Sequence, residues 1–161
     1  MAINKEFVKT VVESIGNYLK IPPCDITFLE MEGMYKNVAG LYVDDKYIIN
    51  INTSVVEKFN DMELTALLIH EMRHAYQHLQ IKDSSSSHEK KEVLSKWRME
   101  IADYKDAGQY RDQYLTQSIE IDAIAFTAFF VEKFFKMNLL MPEIIKEEVI
   151  KRIDEISVYY K

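Results

Sequence analysis

One cysteine, three prolines and four glycines are all that this 161-residue chain holds of the residues that build disulfide frameworks and flexible linkers. A single thiol, Cys24, can form no internal disulfide and offers no CxxC pair for a zinc ribbon, which suits a reducing compartment. So little proline and glycine, beside 48% hydrophobic and 12% aromatic residues, argues against disorder and for a helix-rich chain with a genuine core. The length suits one domain over 1–161. Long hydrophobic runs are missing too: the most apolar stretch, 123–131, is bracketed by Asp122 and Glu132 and falls well short of the roughly 20 residues a membrane span needs. The first twenty residues spread their charges and have no continuous apolar segment, so no secretory signal is expected. A soluble, cytoplasmic chain without membrane contact is the expectation. No Lys/Arg block occurs either, and at a formal net charge of −6 the chain should repel a phosphate backbone, so nucleic acid is not expected as a partner.

Apolar residues at Phe7, Val8, Val11, Val12, Ile15 and Leu19 follow helical spacing up to Pro22 and Pro23, predicting an N-terminal helix. Three short runs rich in β-formers follow, at 26–31, 38–43 and 47–51, broken around Gly33 and at Asp44-Asp45. They predict a small three-stranded sheet whose second and third strands form a hairpin with two acidic turn residues. Ser54 with Glu57, and Asn60 or Asp61 with Glu63, fit helix-start signatures. The serine run after Asp83 reads as a surface loop. Beyond it, Val93, Leu94, Trp97, Ile101 and Tyr104 predict an amphipathic helix closed by Gly108, with Trp97 as a core anchor. A long, largely apolar helix is expected over 112–136. A last helix should start at Pro142 and turn Ile144, Ile145, Val149, Ile153 and Ile156 inward. The fold class expected is α+β, a three-stranded sheet followed by a helical bundle.

The centre of this plan is His70-Glu71-Met72-Arg73-His74. Residues four apart stand one turn above each other on a helix, so His70 and His74 can offer two imidazole nitrogens to one ion, with Glu71 beside it. Zinc favours nitrogen ligands and in catalytic sites keeps a position for water, whose proton a neighbouring carboxylate can take. The bland reading is a surface helix with two ordinary histidines. Against it, Leu64, Leu68, Met72, Ala75 and Leu79 form a separate apolar stripe, leaving the histidines on another face of a helix that must also pack.

A catalytic zinc needs a third protein ligand. His78 continues the histidine face but lies roughly 12 Å along the axis from His70, too far to share its ion. The longer HExxHxxGxxH pattern fails, because Gln77 and Gln80 stand at its glycine and third-histidine positions. His88 lies fourteen residues after His74, at the edge of the serine loop. Glu120 and Asp122 are carboxylates in an apolar helix, costly to bury unless paired or bound to a cation. Two apart, they point about 200° from each other, so one should be a ligand and the other a structural partner. A salt bridge from Glu120 to Arg73 or Arg98 is the structural alternative.

HEMRH resembles the HExxH of zinc peptidases, and the chain is similar to two groups of them. With His88 as third ligand it resembles the SprT type, although Glu89 replaces the glycine usual after that histidine and no zinc ribbon follows. Glu120-Ile121-Asp122-Ala123-Ile124-Ala125-Phe126 resembles the second element of the ImmA/IrrE family of gluzincins, roughly E-x-x-A-N-x-F-A. That resemblance runs over about 64–126. It implies a zincin-like fold with an active-site HExxH helix, Zn2+ held by His70, His74 and Glu120, Glu71 as general base, and Phe126 as a packing residue. Ile124 departs from it, standing where an Asp or Asn often orients a ligand histidine. Leu139-Leu140-Met141-Pro142 matches an LLMP of that family about nine residues late.

The activity implied is metal-assisted hydrolysis of a peptide bond in a protein or peptide substrate, such as a repressor cleaved in a phage or mobile-element setting. An extended substrate would lie along an edge strand, for which 47–52 is the nominee. The alternatives are a SprT-like peptidase and a non-catalytic interaction module on the same fold. Glu71 argues against the last, since a purely structural metal needs no base.

Overall fold

Asn4 opens the first element by accepting the Phe7 amide on its Oδ1 at 3.0 Å, and helix α1 runs from there over Lys5–Leu19. It stops at Lys20, whose φ of 59° is left-handed, as the Ile21 amide turns back to the Gly16 carbonyl at 3.0 Å. The computed structural model describes residues 2–160 in two compact units, Met1–Lys82 and Asp83–Lys161.

In the first unit, α1 is followed by strands β1 (Asp25–Leu29), β2 (Gly40–Val43) and β3 (Ile48–Asn52), then by α2 (Thr53–Val56) and α3 (Asp61–Lys82). The strand order is β1-β3-β2, with β1 parallel and β2 antiparallel to β3. The expected hairpin is present, but its turn takes four residues, not two: Asp44–Lys46 make a short 3-10 turn and Tyr47 closes it at a φ of 54°. One expectation is corrected here. The 47–52 segment nominated as an edge is the central strand, hydrogen-bonded on both sides, and the edges are β1 and β2. Ile49 and Ile51 are fully buried on one face of this strand, and Asn52 is buried at its end. Asn52 ties down the connection between β1 and β2 by donating to the carbonyls of Lys36 and Val38 and accepting the Met31 amide.

Asn52 is also the N-cap residue of α2, so Ser54 and Glu57 do not form the expected capping box; the Ser54 hydroxyl donates instead to Asn52 Oδ1 at 3.0 Å. The second capping signature holds. Asn60 Oδ1 accepts the Glu63 amide at 2.9 Å and Glu63 returns a carboxylate oxygen to the Asn60 amide at 2.8 Å, starting α3. Leu64, Leu68, Met72 and Ala75 are buried along one stripe of α3, which packs against α1 and its Val8, Val12 and Ile15. Each of these valine, leucine, isoleucine and methionine side chains contributes about 1.5–3 kcal/mol when fully buried.

The second unit holds α4 (Lys91–Ala102), α5 (Arg111–Tyr114), α6 (Ser118–Phe135) and α7 (Lys146–Tyr159), with α6 packed on α4 and α7. Trp97 is buried as expected, but α4 ends at Ala102, six residues before Gly108. The helix expected over 112–136 is broken, and α6 begins at Ser118 because the Glu100 carboxylate reaches over from α4 and takes the Ser118 amide at 2.7 and 2.9 Å. Pro142 precedes a short 3-10 turn, not α7 itself, which leaves Ile144 exposed while Ile145, Val149 and Ile156 are buried. The architecture is α+β, a small three-stranded sheet with several helices. Among the described residues no helix is long and apolar enough to cross a membrane.

Candidate metal centre

Helical spacing brings His70 and His74 to one face of α3, and their Nε2 atoms come within 3.1 Å of each other, with the rings close to perpendicular. Two nitrogens that each lie 2.0–2.1 Å from one tetrahedral ion would be roughly 3.3 Å apart, so this pair needs almost no rearrangement to chelate. His74 is held from behind. Its Nδ1 is 2.8 Å from Oε1 of the fully buried Gln77, so Nδ1 carries the proton, donates it to the amide oxygen, and Nε2 keeps its lone pair for a ligand role. Gln77 thus fixes the orientation of the His74 ring through Nδ1. In the sequence Gln77 stands out only as a missing glycine, although its place three residues after His74 on a helix is a legible signal.

Glu71 is buried, 6% exposed, and its Oε2 accepts the backbone N–H of Tyr42 at 2.9 Å. Tyr42 lies on edge strand β2 opposite Ile49, and its N–H turns away from β3 toward α3. Gly40 suits that approach, because a Cβ there would lie 3.0 Å from the Leu67 side chain on α3, which would have to give way. Glu71 is thus anchored to strand β2 through Oε2.

The same strand ends in a polar cluster. Asp44 Oδ1 accepts from the Tyr42 hydroxyl and the Lys82 ammonium, each at 2.9 Å, and lies 3.5 Å from His78 Nδ1. Burial would raise the Asp44 pKa, but the hydrogen bonds from Lys82 and Tyr42 outweigh it and bring it below the usual value. Burial lowers the His78 pKa against the pull of Asp44. His78, set aside as a ligand on distance, has Asp44 and the Tyr42 ring as neighbours.

In the second unit Glu120 is fully buried, and it stands in the first turn of α6, not mid-helix as expected. The Tyr104 hydroxyl donates to its Oε1. Asp122 is an ion-pair residue: Arg152 Nε donates to it at 2.7 Å, while the two Nη groups reach Glu155 and Glu89 at 2.9 Å and the guanidinium lies 5.6 Å from the Trp97 ring centre. Asp122 thus has its structural cation in Arg152. Phe126 is fully buried and packs near the rings of Phe130 and Tyr160. His88 stacks on Tyr159, with ring centres 4.3 Å apart, and lies 3.8 Å from a Glu89 oxygen. Arg98, one of the two arginines considered as a partner for Glu120, is exposed.

Residues 26–126, well over half of the chain, match the model of the family described as "Putative phage metallopeptidase". The chain belongs to that family. The matched span of this phage metallopeptidase relative runs from β1 into α6 and takes in His70, Glu71, His74 and Glu120, leaving α1 and α7 outside. No curated protein and no solved structure gives a significant match.

Proposed function

We propose that this chain is a zinc-dependent peptidase of zincin-like fold in which His70, His74 and Glu120 hold the ion and Glu71 is the general base. The observation that carries the proposal is the 3.1 Å approach of the two imidazole Nε2 atoms on a helix that also presents Glu71. Two imidazoles and a buried carboxylate are a donor set that can hold a metal ion and suit zinc well. A divalent cation there would acidify a water and polarise a substrate carbonyl. The chain's own residues do the rest. Glu71, held at Oε2 by Tyr42, takes the water's proton at Oε1 as the oxygen adds to the carbonyl carbon, and returns it to the leaving nitrogen as the C–N bond breaks. Gln77 keeps His74 in the ligating tautomer throughout.

The substrate is a protein or peptide in extended form. Strand β2 is the edge that supports such binding: it carries Glu71's anchor, and the backbone groups of Gly40 and the carbonyl of Tyr42 face away from β3. The phage setting in the family's description and the ImmA/IrrE resemblance together favour regulated cleavage of a partner such as a repressor, in the cytoplasm, where a lone cysteine is at home.

Elemental analysis after identical dialysis tests the ligand set. About one zinc per chain should be found in the wild type and in His88→Ala, and should be lost from Glu120→Ala. Loss from His88→Ala alone would favour the SprT-like arrangement instead. A wild type that cannot be loaded with metal would leave a binding module on this fold.

A further inference from the structure

Three side chains fix the start of α6 from outside the helix. Glu100 takes the Ser118 amide and hydroxyl. Gln117 grips the backbone of Lys105 twice, accepting its N–H on Oε1 and donating from Nε2 to its carbonyl, both at 2.9 Å, and also donates to the Tyr114 carbonyl. The residue just before that gripped backbone is Tyr104, whose hydroxyl donates to Oε1 of Glu120, one helical turn after Gln117. The Tyr114 ring stands edge-on to the Tyr104 ring at 6.4 Å.

We propose that Tyr104 is a positioning residue for the Glu120 carboxylate, holding Oε1 so that the group meets a metal through a single oxygen. The inference rests on the reading above that Glu120 is a ligand. A glutamate has rotatable bonds enough to bind through one oxygen or both, and two-oxygen binding would consume the coordination position that a reacting water needs. A phenol donating to a carboxylate is a strong, charge-assisted bond, and it commits one oxygen before any ion arrives. Gln117 makes the commitment rigid, because its two bonds to Lys105 fix the chain from which the Tyr104 ring projects. Tyr104 and Gln117 both lie outside α4 and α6, although sequence spacing places each within a helix.

Zinc affinity, measured by competition with a chromophoric chelator, and the visible absorption of the Co2+-loaded protein test the assignment on wild type, Tyr104→Phe, Gln117→Ala and Glu120→Ala. Tyr104→Phe should keep its far-ultraviolet circular dichroism, bind zinc about 10–100-fold more weakly, and give a weaker cobalt spectrum as the freed carboxylate raises the coordination number. Gln117→Ala should move the same way, and Glu120→Ala further. Wild-type affinity and spectrum in both Tyr104→Phe and Gln117→Ala, even with lowered thermal stability, would overturn the positioning role while a Glu120→Ala loss upheld the ligand. Unchanged affinity in Glu120→Ala would instead remove the metal-site reading, and this inference with it.

Discussion

The backbone amide of Tyr42 and the carboxylate of Glu71 share a 2.9 Å hydrogen bond across 29 residues of sequence. It joins an edge strand to the helix of the two histidines, and it anchors the candidate base through Oε2.

That anchor predicts the behaviour of Glu71→Gln. The glutamine carbonyl can still accept the Tyr42 amide, so fold and zinc content should match the wild type while cleavage falls by roughly 10²–10⁴-fold, the usual worth of a general base. Wild-type turnover of a peptide substrate by this variant would take Glu71 out of the base role.

Gln77→Ala removes the acceptor for His74 Nδ1. The imidazole can then adopt the tautomer with the proton on Nε2, so zinc affinity should drop about 10–100-fold. Chelator competition reads this directly, and an affinity equal to wild type would mean that the ring needs no help from Gln77.

Arg152→Met strands buried carboxylates. Glu89 and Asp122 have side chains only 1% exposed and lose their guanidinium partner, which should cost about 3–5 kcal/mol in urea unfolding. A loss under about 1 kcal/mol would show that neither carboxylate depends on this cation.

Two groups beside β2 predict a staged loss of stability in acid. His78 has a folded pKa lowered below its ordinary 6.5, chiefly by burial, so the unfolded chain binds the proton more tightly. Its contribution is present above pH 6.5 and is lost as pH falls from there through the folded value. Asp44, also lowered, contributes above its ordinary 3.8 and loses that contribution as pH falls further through its own folded value. Urea midpoints across this range should show both stages in the wild type, only the lower one in His78→Gln, and only the upper one in Asp44→Asn. An unaltered profile in His78→Gln would refute the assignment.

Local periodicity carried much of this molecule. The Asn60/Glu63 start of α3, its buried stripe, the pairing of β2 with β3 and the burial of Trp97 all follow from neighbours within a few residues, where spacing and side-chain chemistry act directly. Signals of the same kind failed wherever a distant group intervened. Glu100 cut the long helix at Ser118, and strand order made β3 central although its composition suits an edge equally well.

The candidate site divides along the same line. That His70, Glu71 and His74 share a helix, and that Glu120 and Asp122 cannot both serve one ion, the sequence alone determined, because helical geometry relates residues by their separation. Only the tertiary structure decided that Arg152 claims Asp122, that Tyr104 claims one oxygen of Glu120, and that Tyr42 holds Glu71. Those bonds join residues 16–30 positions apart, and such partners are chosen by the packing of whole elements, which no local pattern encodes.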